Sequence, residues 1–443
     1  MPDKTIAVAR REVPIGAVTD VAVAGGGPSG LAAAITAAKK GLSVILIERY
    51  GFFGGLATAG SVGTICGLYL HHPDRIERII EGFAGQLEDA LVKRGGGFGP
   101  FIRQGFTALL YNPWHLKRLC DEWIGREKNI RPMLHSYVAD AVHEDGQIKA
   151  LLVASPEGLF AVRAGVYIDA TGDAAVAMAA GVKTEKGDAR GMVMNPTMMF
   201  YVQGLDLVGY QAKGMAVLND RIRQAIAKKT YPLTVGQGLV IPTFRQGEAM
   251  IKLSSLAREG RALDGSSVSD LTYAELKGRD DAEIAMDFLK HEIPGFENAF
   301  LADTAVQVGV RETRRIIGHY ILTEQDVLSG KKFPDTICLS SWPLEKWEDG
   351  REPEMVFPAE GDYYGIPYRS LLPVGTQNLL VTGRAISMDH GALASARVMG
   401  VCMAEGQAAG TACVLAARRG VKPSEIDTEQ LQLELKKDGA RLD

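Results

Sequence analysis

Residues 20–48 read Asp20-Val-Ala-Val-Ala-Gly25-Gly-Gly27-Pro28-Ser29-Gly30-Leu31-Ala-Ala-Ala-Ile-Thr-Ala-Ala-Lys-Lys40-Gly41-Leu-Ser43-Val-Ile-Leu-Ile47-Glu48. This is strand, turn, helix, strand and acid in one unbroken unit. Val21–Ala24 is a short apolar run, as expected of a buried parallel strand. Gly25, Gly27 and Gly30 stand at G-x-G-x-x-G spacing, with Pro28 and Ser29 between the last two. The first glycine permits a tight turn, the second lets a pyrophosphate approach the backbone, and the third lets the helix close on the sheet. Leu31–Lys40 is alanine-rich and strongly helical, and Gly41 suits its stop. The helix N-terminus then offers free N–H groups and a positive dipole end to phosphates. Ser43–Ile47 is the second strand, and Glu48 stands where a carboxylate accepts ribose hydroxyls. The glycine spacing alone is weak, but with this context it reads as a dinucleotide site.

The residues after Glu48 choose between a nicotinamide and a flavin. They continue Arg49-Tyr50-Gly51-Phe52-Phe53-Gly54-Gly55-Leu56-Ala57-Thr58, a second glycine-rich segment with little helix propensity. Here the chain resembles the FAD-dependent oxidoreductases with a glutathione-reductase-type flavin domain, in the subgroup with an E-R…G-G-x-A-T segment. The resemblance implies non-covalent FAD contacts at Glu48, Arg49, Gly54, Gly55, Ala57 and Thr58. Ala161–Gly172 ends in Ala170-Thr171-Gly172 and resembles the strand that returns beside the cofactor; the backbone near Val138 is implied at adenine. Asn378–Arg384 resembles the strand that delivers the last FAD contacts, at Gly383 and Arg384. The stretch from Arg397 to Gly410, with Met399 and Gly400 near its start, resembles the family's closing helix, whose N-terminus is implied to point at the flavin.

The implied fold is α/β: a discontinuous Rossmann-like FAD domain at 17–181 and 369–421, with an inserted α+β substrate domain at 182–368. Residues 1–16 read as an N-terminal arm, and Thr5–Val13 within them leaves a homodimer open. Residues 422–443 read as a C-terminal tail. The expected elements include helices at 74–94, 113–124, 209–228, 248–258 and 272–289. A hairpin is expected about Glu144-Asp145-Gly146, a capping box at Thr323-Glu-Gln-Asp326, and a helix starting at Arg397.

Net charge is −4, with no basic cluster among aromatics, so no nucleic-acid partner is expected. No apolar run approaches the ~20 residues that cross a bilayer, and the first 20 residues lack the apolar core of a secretory signal. The five cysteines are scattered without a C-x-x-C, which argues against a zinc site and a redox disulfide and fits a reducing cytoplasm. No metal is expected. One dinucleotide fingerprint is present, whereas a separate nicotinamide domain needs a second.

Three sets of residues are candidates for chemistry. The first is Asp389-His390 followed by Arg397: His390 matches a histidine of the resembled subgroup and Arg397-Val398-Met399 its R-V-M segment, and His390 has the residue type to handle a proton near neutrality; a purely hydrogen-bonding role is the alternative. Arg311 and Arg314, in Arg311-Glu312-Thr313-Arg314-Arg315, suit a carboxylate; an ion-pair network with Glu312 is the alternative. Asn195–Tyr201 is the strand implied over the flavin, although its methionines and aromatics also suit a core. Tyr363, Tyr364, Tyr368 and Arg369 could line the site, and His71 and His72 could invite covalent flavin attachment. The expected activity is hydride transfer between flavin and a small polar or anionic substrate. The alternatives are a nicotinamide-fed flavin reductase and a flavoprotein whose FAD is structural.

Overall fold

The computed structural model describes residues 12–103, 106–346 and 354–443, without the side chains of Arg103 and Phe106. Most of the N-terminal arm therefore lies outside the described residues. The central sheet has five parallel strands in the order Ile130–Met133, Val44–Ile47, Ile15–Ala24, Gly158–Asp169 and Leu379–Val381. The first half of Gly158–Asp169 also pairs antiparallel with Gln147–Ser155, which forms a hairpin with Tyr137–Glu144. Asp145 and Gly146 both have positive φ, +51° and +71°, the geometry of a two-residue hairpin turn.

Val21–Ala24 and Val44–Ile47 are buried throughout, so their sequences are apolar without alternation. Helix Pro28–Lys39 covers this sheet, and helix Met399–Arg419 lies across it. The two helices approach closely because Gly406 and Gly410 face Ser29 and Ala33; a methyl group on Gly410 would stand 2.5 Å from the Ala33 carbonyl oxygen. Helix Thr428–Lys437, in the expected tail, buries Leu431 and Leu435 in the same core.

A second, four-stranded antiparallel sheet runs Leu239–Pro242, Ala249–Lys252, Met199–Gln203, Phe300–Thr304. Phe200, Val202 and Ile251 pack on one face against Leu218, Ile222 and Phe288 of helices Met215–Lys228 and Val268–Glu292. Side chains at alternate positions leave by the other face. Residues between 322 and 372, such as Ile337, Leu339 and Tyr364, belong instead to the core of the first sheet.

Three expected elements differ. Residues 248–258 are no helix: Ala249–Lys252 is a central strand held on both sides, and its ladder outweighs local helix propensity. The helix expected over 74–94 spans Phe83–Lys93, because Gly82 takes φ +64° and the chain before it returns to bond Leu68. The helix expected from Arg397 is two helices, His390–Ala396 and Met399–Arg419, meeting at 94° with Arg397 and Val398 at the corner. Asn112 caps its helix as expected, accepting from the Trp114 N–H at 2.9 Å, and Thr323 and Asp326 form the capping box. No single helix among the described residues is long and apolar enough to cross a membrane.

Candidate active site

A cavity of about 740 Å³ runs from the glycine-rich turn to the face of the second sheet. Its first end is made of backbone. Gly25 has φ +100°, and any side chain there would strike the Ala170 carbonyl. Gly30 can carry no methyl group because it lies on the Gly25 carbonyl, which is the close helix–strand contact its spacing implies. The second glycine segment lies on the first: the Gly54 N–H donates to the Gly26 carbonyl at 2.8 Å. A methyl on Gly55 would stand 2.8 Å from Gly27 Cα. The Glu48 carboxylate accepts from the Gly26 N–H at 2.7 Å and the Tyr50 N–H at 2.9 Å. Each oxygen keeps a further lone pair for a ligand hydroxyl. Burial pushes the Glu48 carboxyl up, and those N–H bonds partly offset it.

The return turn is pinned by Asp169, which is fully buried. Its carboxylate accepts from the Thr171 N–H, the Thr171 hydroxyl and the Ala177 N–H. Glu405, also fully buried, accepts from the Gly383 N–H at 2.7 Å, and burial holds its carboxyl well above the usual range. Around this part of the cavity, Ser29 Oγ, Thr382 Oγ1 and Arg384 Nε are buried without a hydrogen-bond partner among the described residues. All three residues line the cavity. Buried donors without acceptors are costly, so a ligand rich in acceptor oxygens fits this wall.

The far end is made of side chains. Lys252 ends the central strand of the second sheet, between Met199 and Leu239 of its neighbours. Arg311, Glu345 and Arg397 come to it from three other segments and line the same space, with Cys66 and Trp342. The Arg397 guanidinium donates to the Glu345 carbonyl at 3.1 Å and stands 3.8 Å from its carboxylate. Arg311 donates to the Asn195 carbonyl. Three cations thus share the described wall with one carboxylate. Burial and the neighbouring Arg397 charge lower the Arg311 guanidinium to about 10. Burial and the Arg311 charge lower the Lys252 amine to about 7, against the opposing pull of Glu345. Burial pushes the Cys66 thiol up to about 12, so it stays protonated.

Of the residues singled out from sequence, Gly25, Gly27, Pro28, Ser29, Glu48, Arg49, Gly55, Ala57 and Val138 line the cavity. Ala170, Thr171, Gly172, Gly383, Arg384, Met399 and Arg311 line it as well. Gly30, Gly54, Thr58 and Gly400 lie behind the wall and shape it: Thr58 Oγ1 donates to the Phe53 carbonyl at 2.9 Å, and Gly400 presses on Gly67. His390 and Arg314 do not line the cavity. His390 is buried against Glu312, with Nδ1 2.9 Å from Glu312 Oε2. Glu312 is fully buried, pairs with Arg315, and accepts from the Gly187 and Met194 N–H groups at 3.0 Å each. Arg314 reaches the Asp173 carbonyl at 3.4 Å. The segment 311–315 is extended rather than helical, so Arg311 and Arg315 serve different surroundings.

Thr197 and Met199 of the expected roofing strand line the cavity. Tyr364 and Tyr368 are core residues bonded to Ser395 and Pro423, and Arg369 pairs with Asp335. His71 stacks on Phe357 and His72 faces Glu360, both away from the lining. Sequence reading missed Lys252 and Glu345, and it named Arg397 only beside His390, as the start of an Arg397-Val398-Met399 segment that the resemblance matched. Their positions follow from sheet pairing and a helix corner, which no local motif announces.

A family model described as FAD dependent oxidoreductase matches residues 20–435, and the chain belongs to that family. It is an FAD-dependent oxidoreductase, with FAD as its cofactor. Solved structures similar to it include a geranylgeranyl bacteriochlorophyll reductase-like protein from Thermoplasma acidophilum: 15% identity, 95% of this chain, 83% of that one, TM-score 0.45. Another is p-nitrophenol 4-monooxygenase PnpA from Pseudomonas putida DLL-E4: 12% identity, 95% and 85% coverage, TM-score 0.48. A third is the flavin-dependent brominase Bmp2, at 15% identity, 95% and 83% coverage, TM-score 0.48. No curated protein matches the sequence.

Proposed function

We propose that this FAD-dependent oxidoreductase acts on a small organic acid, held by its carboxylate at the cation-lined end of the cavity. The observation that carries the reading is the convergence of Lys252, Arg311 and Arg397 on the space that the glycine segments open into. Arg311 and Arg397 are the anchors, since a planar guanidinium stays charged where burial disfavours charge and can grip a carboxylate with two bonds. FAD supplies hydride chemistry at its N5 when bound. Ser29, Thr382, Arg384 and the main chain at Gly25–Gly27 and Gly54–Gly55 would hold its phosphate-bearing part, and Glu48 its ribose. His390 and Arg314 serve as wall residues behind the anchors.

The order of the central strands and the hairpin beside them support a glutathione-reductase-type FAD domain. The substrate domain is narrower than 182–368 on this reading, because the separate core of the second sheet runs only from 198 to 310. The test is anaerobic mixing of the holoenzyme with small acids, amines and alcohols, read at the flavin bands. Reduction by acids is the expected result, and Arg311→Ala should weaken acid binding about 10- to 100-fold, the worth of one charge-assisted bond. Bleaching by NADH or NADPH with no acid effective overturns the reading.

A further inference from the structure

We propose that Lys252 is the catalytic residue that takes the proton from a substrate hydroxyl, and that the substrate is a 2-hydroxy acid; the inference rests on the anionic-substrate reading above. Lys252 stands at the cavity end of its strand. Among the described residues, the charged and titratable groups facing it from other segments are Arg311, Glu345, Arg397 and Cys66. Among the described residues three cations face one carboxylate there, and their mutual repulsion is relieved most cheaply when one of them gives up its proton. Guanidiniums hold theirs, whereas an ammonium yields readily on burial. The arginines therefore stay as carboxylate anchors and the lysine becomes a neutral amine, a base. Burial and the Arg311 charge set its midpoint at about 7, which leaves it ready to act near neutrality.

The same crowding selects the substrate. A base set among the groups that hold the carboxylate serves the carbon bonded to that carboxylate. An ammonium on that carbon would stand beside two guanidiniums and offer the amine no hydroxyl proton; a hydroxyl carries no charge for them to repel and presents the proton that the neutral amine takes. The hydroxyl O–H bond breaks and its proton forms an N–H bond on Lys252. The C–H bond on the same carbon breaks and its electron pair leaves as hydride for oxidised FAD. A C=O bond forms, so the acid is oxidised by two electrons to a 2-oxo acid and the cofactor is reduced by two. The other candidates in the cavity are weaker: the Cys66 thiol is held protonated, and His390 lies on Glu312 behind the wall.

Two measurements test the assignment. In the holoenzyme, trace acylation with acetic anhydride across a pH series, read peptide by peptide in a mass spectrometer, reports each lysine's midpoint. Lys252 should titrate near 7, against ~10.4 for exposed lysines. A Lys252 midpoint near ~10.4 overturns the assignment whatever the substrate screen finds. Anaerobic stopped-flow reduction by 2-hydroxy acids should speed up as pH rises through that midpoint. Lys252→Arg, which keeps the charge but cannot become a base, should retain FAD and acid binding while losing reduction rate by about 10²–10⁴-fold. Lys252→Gln should behave alike. Wild-type reduction rates in Lys252→Arg overturn the role of Lys252 and leave the anionic-substrate reading standing. Failure of every acid to reduce the wild-type flavin overturns that reading and the base assignment with it.

Discussion

The two ends of the cavity are built by opposite means. The glycine-rich end is main chain: Gly25, Gly30, Gly54 and Gly55 let two loops and a helix approach until only hydrogen fits between them. The cation-lined end is side chain: Lys252, Arg311, Glu345 and Arg397 project from four separate segments. The glycines of the first end lie within 31 residues of chain, and the side chains of the second are spread over some 145. A site shaped by backbone needs fixed local spacing, so the spacing is visible in the sequence. A site shaped by converging side chains is specified only by topology.

The largest effect should come from a methyl group at the backbone end. Gly30→Ala drives Cβ into the Gly25 carbonyl and onto Ala170 Cβ, 3.1 Å away. Neither neighbour is a flexible side-chain tip, so the helix must leave the strand. We expect a loss in the exceptional class above ~4–5 kcal/mol, seen as protein purified without flavin absorbance and with a collapsed melting transition. Retention of a normal flavin spectrum would mean that the turn yields, and that this end is less fixed by backbone than described.

The next effect should come from the wall between the ends. Glu312→Gln takes from the Arg315 guanidinium, 1% exposed, its nearer counter-charge, leaving Glu185 at 4.0 Å, and loosens His390. Removing one member of a buried ion pair costs about 3–5 kcal/mol. The melting temperature should fall markedly while folded protein still carries FAD, because the glycine cradle is untouched. Loss of flavin at temperatures where the variant stays folded would show that the two ends are not separately built.

The same contrast explains what could be read in advance. The strand–turn–helix–strand unit, the return strand at Ala170 and the caps at Asn112 and Thr323 rest on contacts within a few residues, and all were legible. The strand at Ala249–Lys252 was read as helix, and that error hid Lys252, whose direction is set by pairing with Met199 and Leu239. Arg311 was recognisable by residue type and neighbourhood. Arg314 and His390 shared those cues yet face Asp173 and Glu312, because residue type does not say which side of a wall a side chain takes. Glu345 had no local signature, and the Arg397-Val398-Met399 match did not announce the corner between two helices.

The smallest effect should be a pH dependence confined to the side-chain end. The Lys252 amine is lowered to about 7 in the folded chain and returns to ~10.4 when unfolded. Below the folded value both states hold the proton, and the folded state bears a charge beside two guanidiniums. Between the two values the unfolded chain binds more protons than the folded one, so stability rises with pH across that window. Its contribution is complete above ~10.4 and is lost as pH falls through about 7. The slope cannot exceed ~1.4 kcal/mol per pH unit for one proton. It should be smaller here, because Lys252 is only half-buried and solvent screens part of the charge. Thermal melts of wild type and Lys252→Met across this range should give a difference that is flat in acid and then moves in favour of wild type. A difference that stays flat throughout would mean that Lys252 keeps its proton in the fold. The cation-lined end would then be a solvated rim rather than a desolvated pocket, and its likeness to the tightly packed glycine-rich end would stop at sharing one cavity.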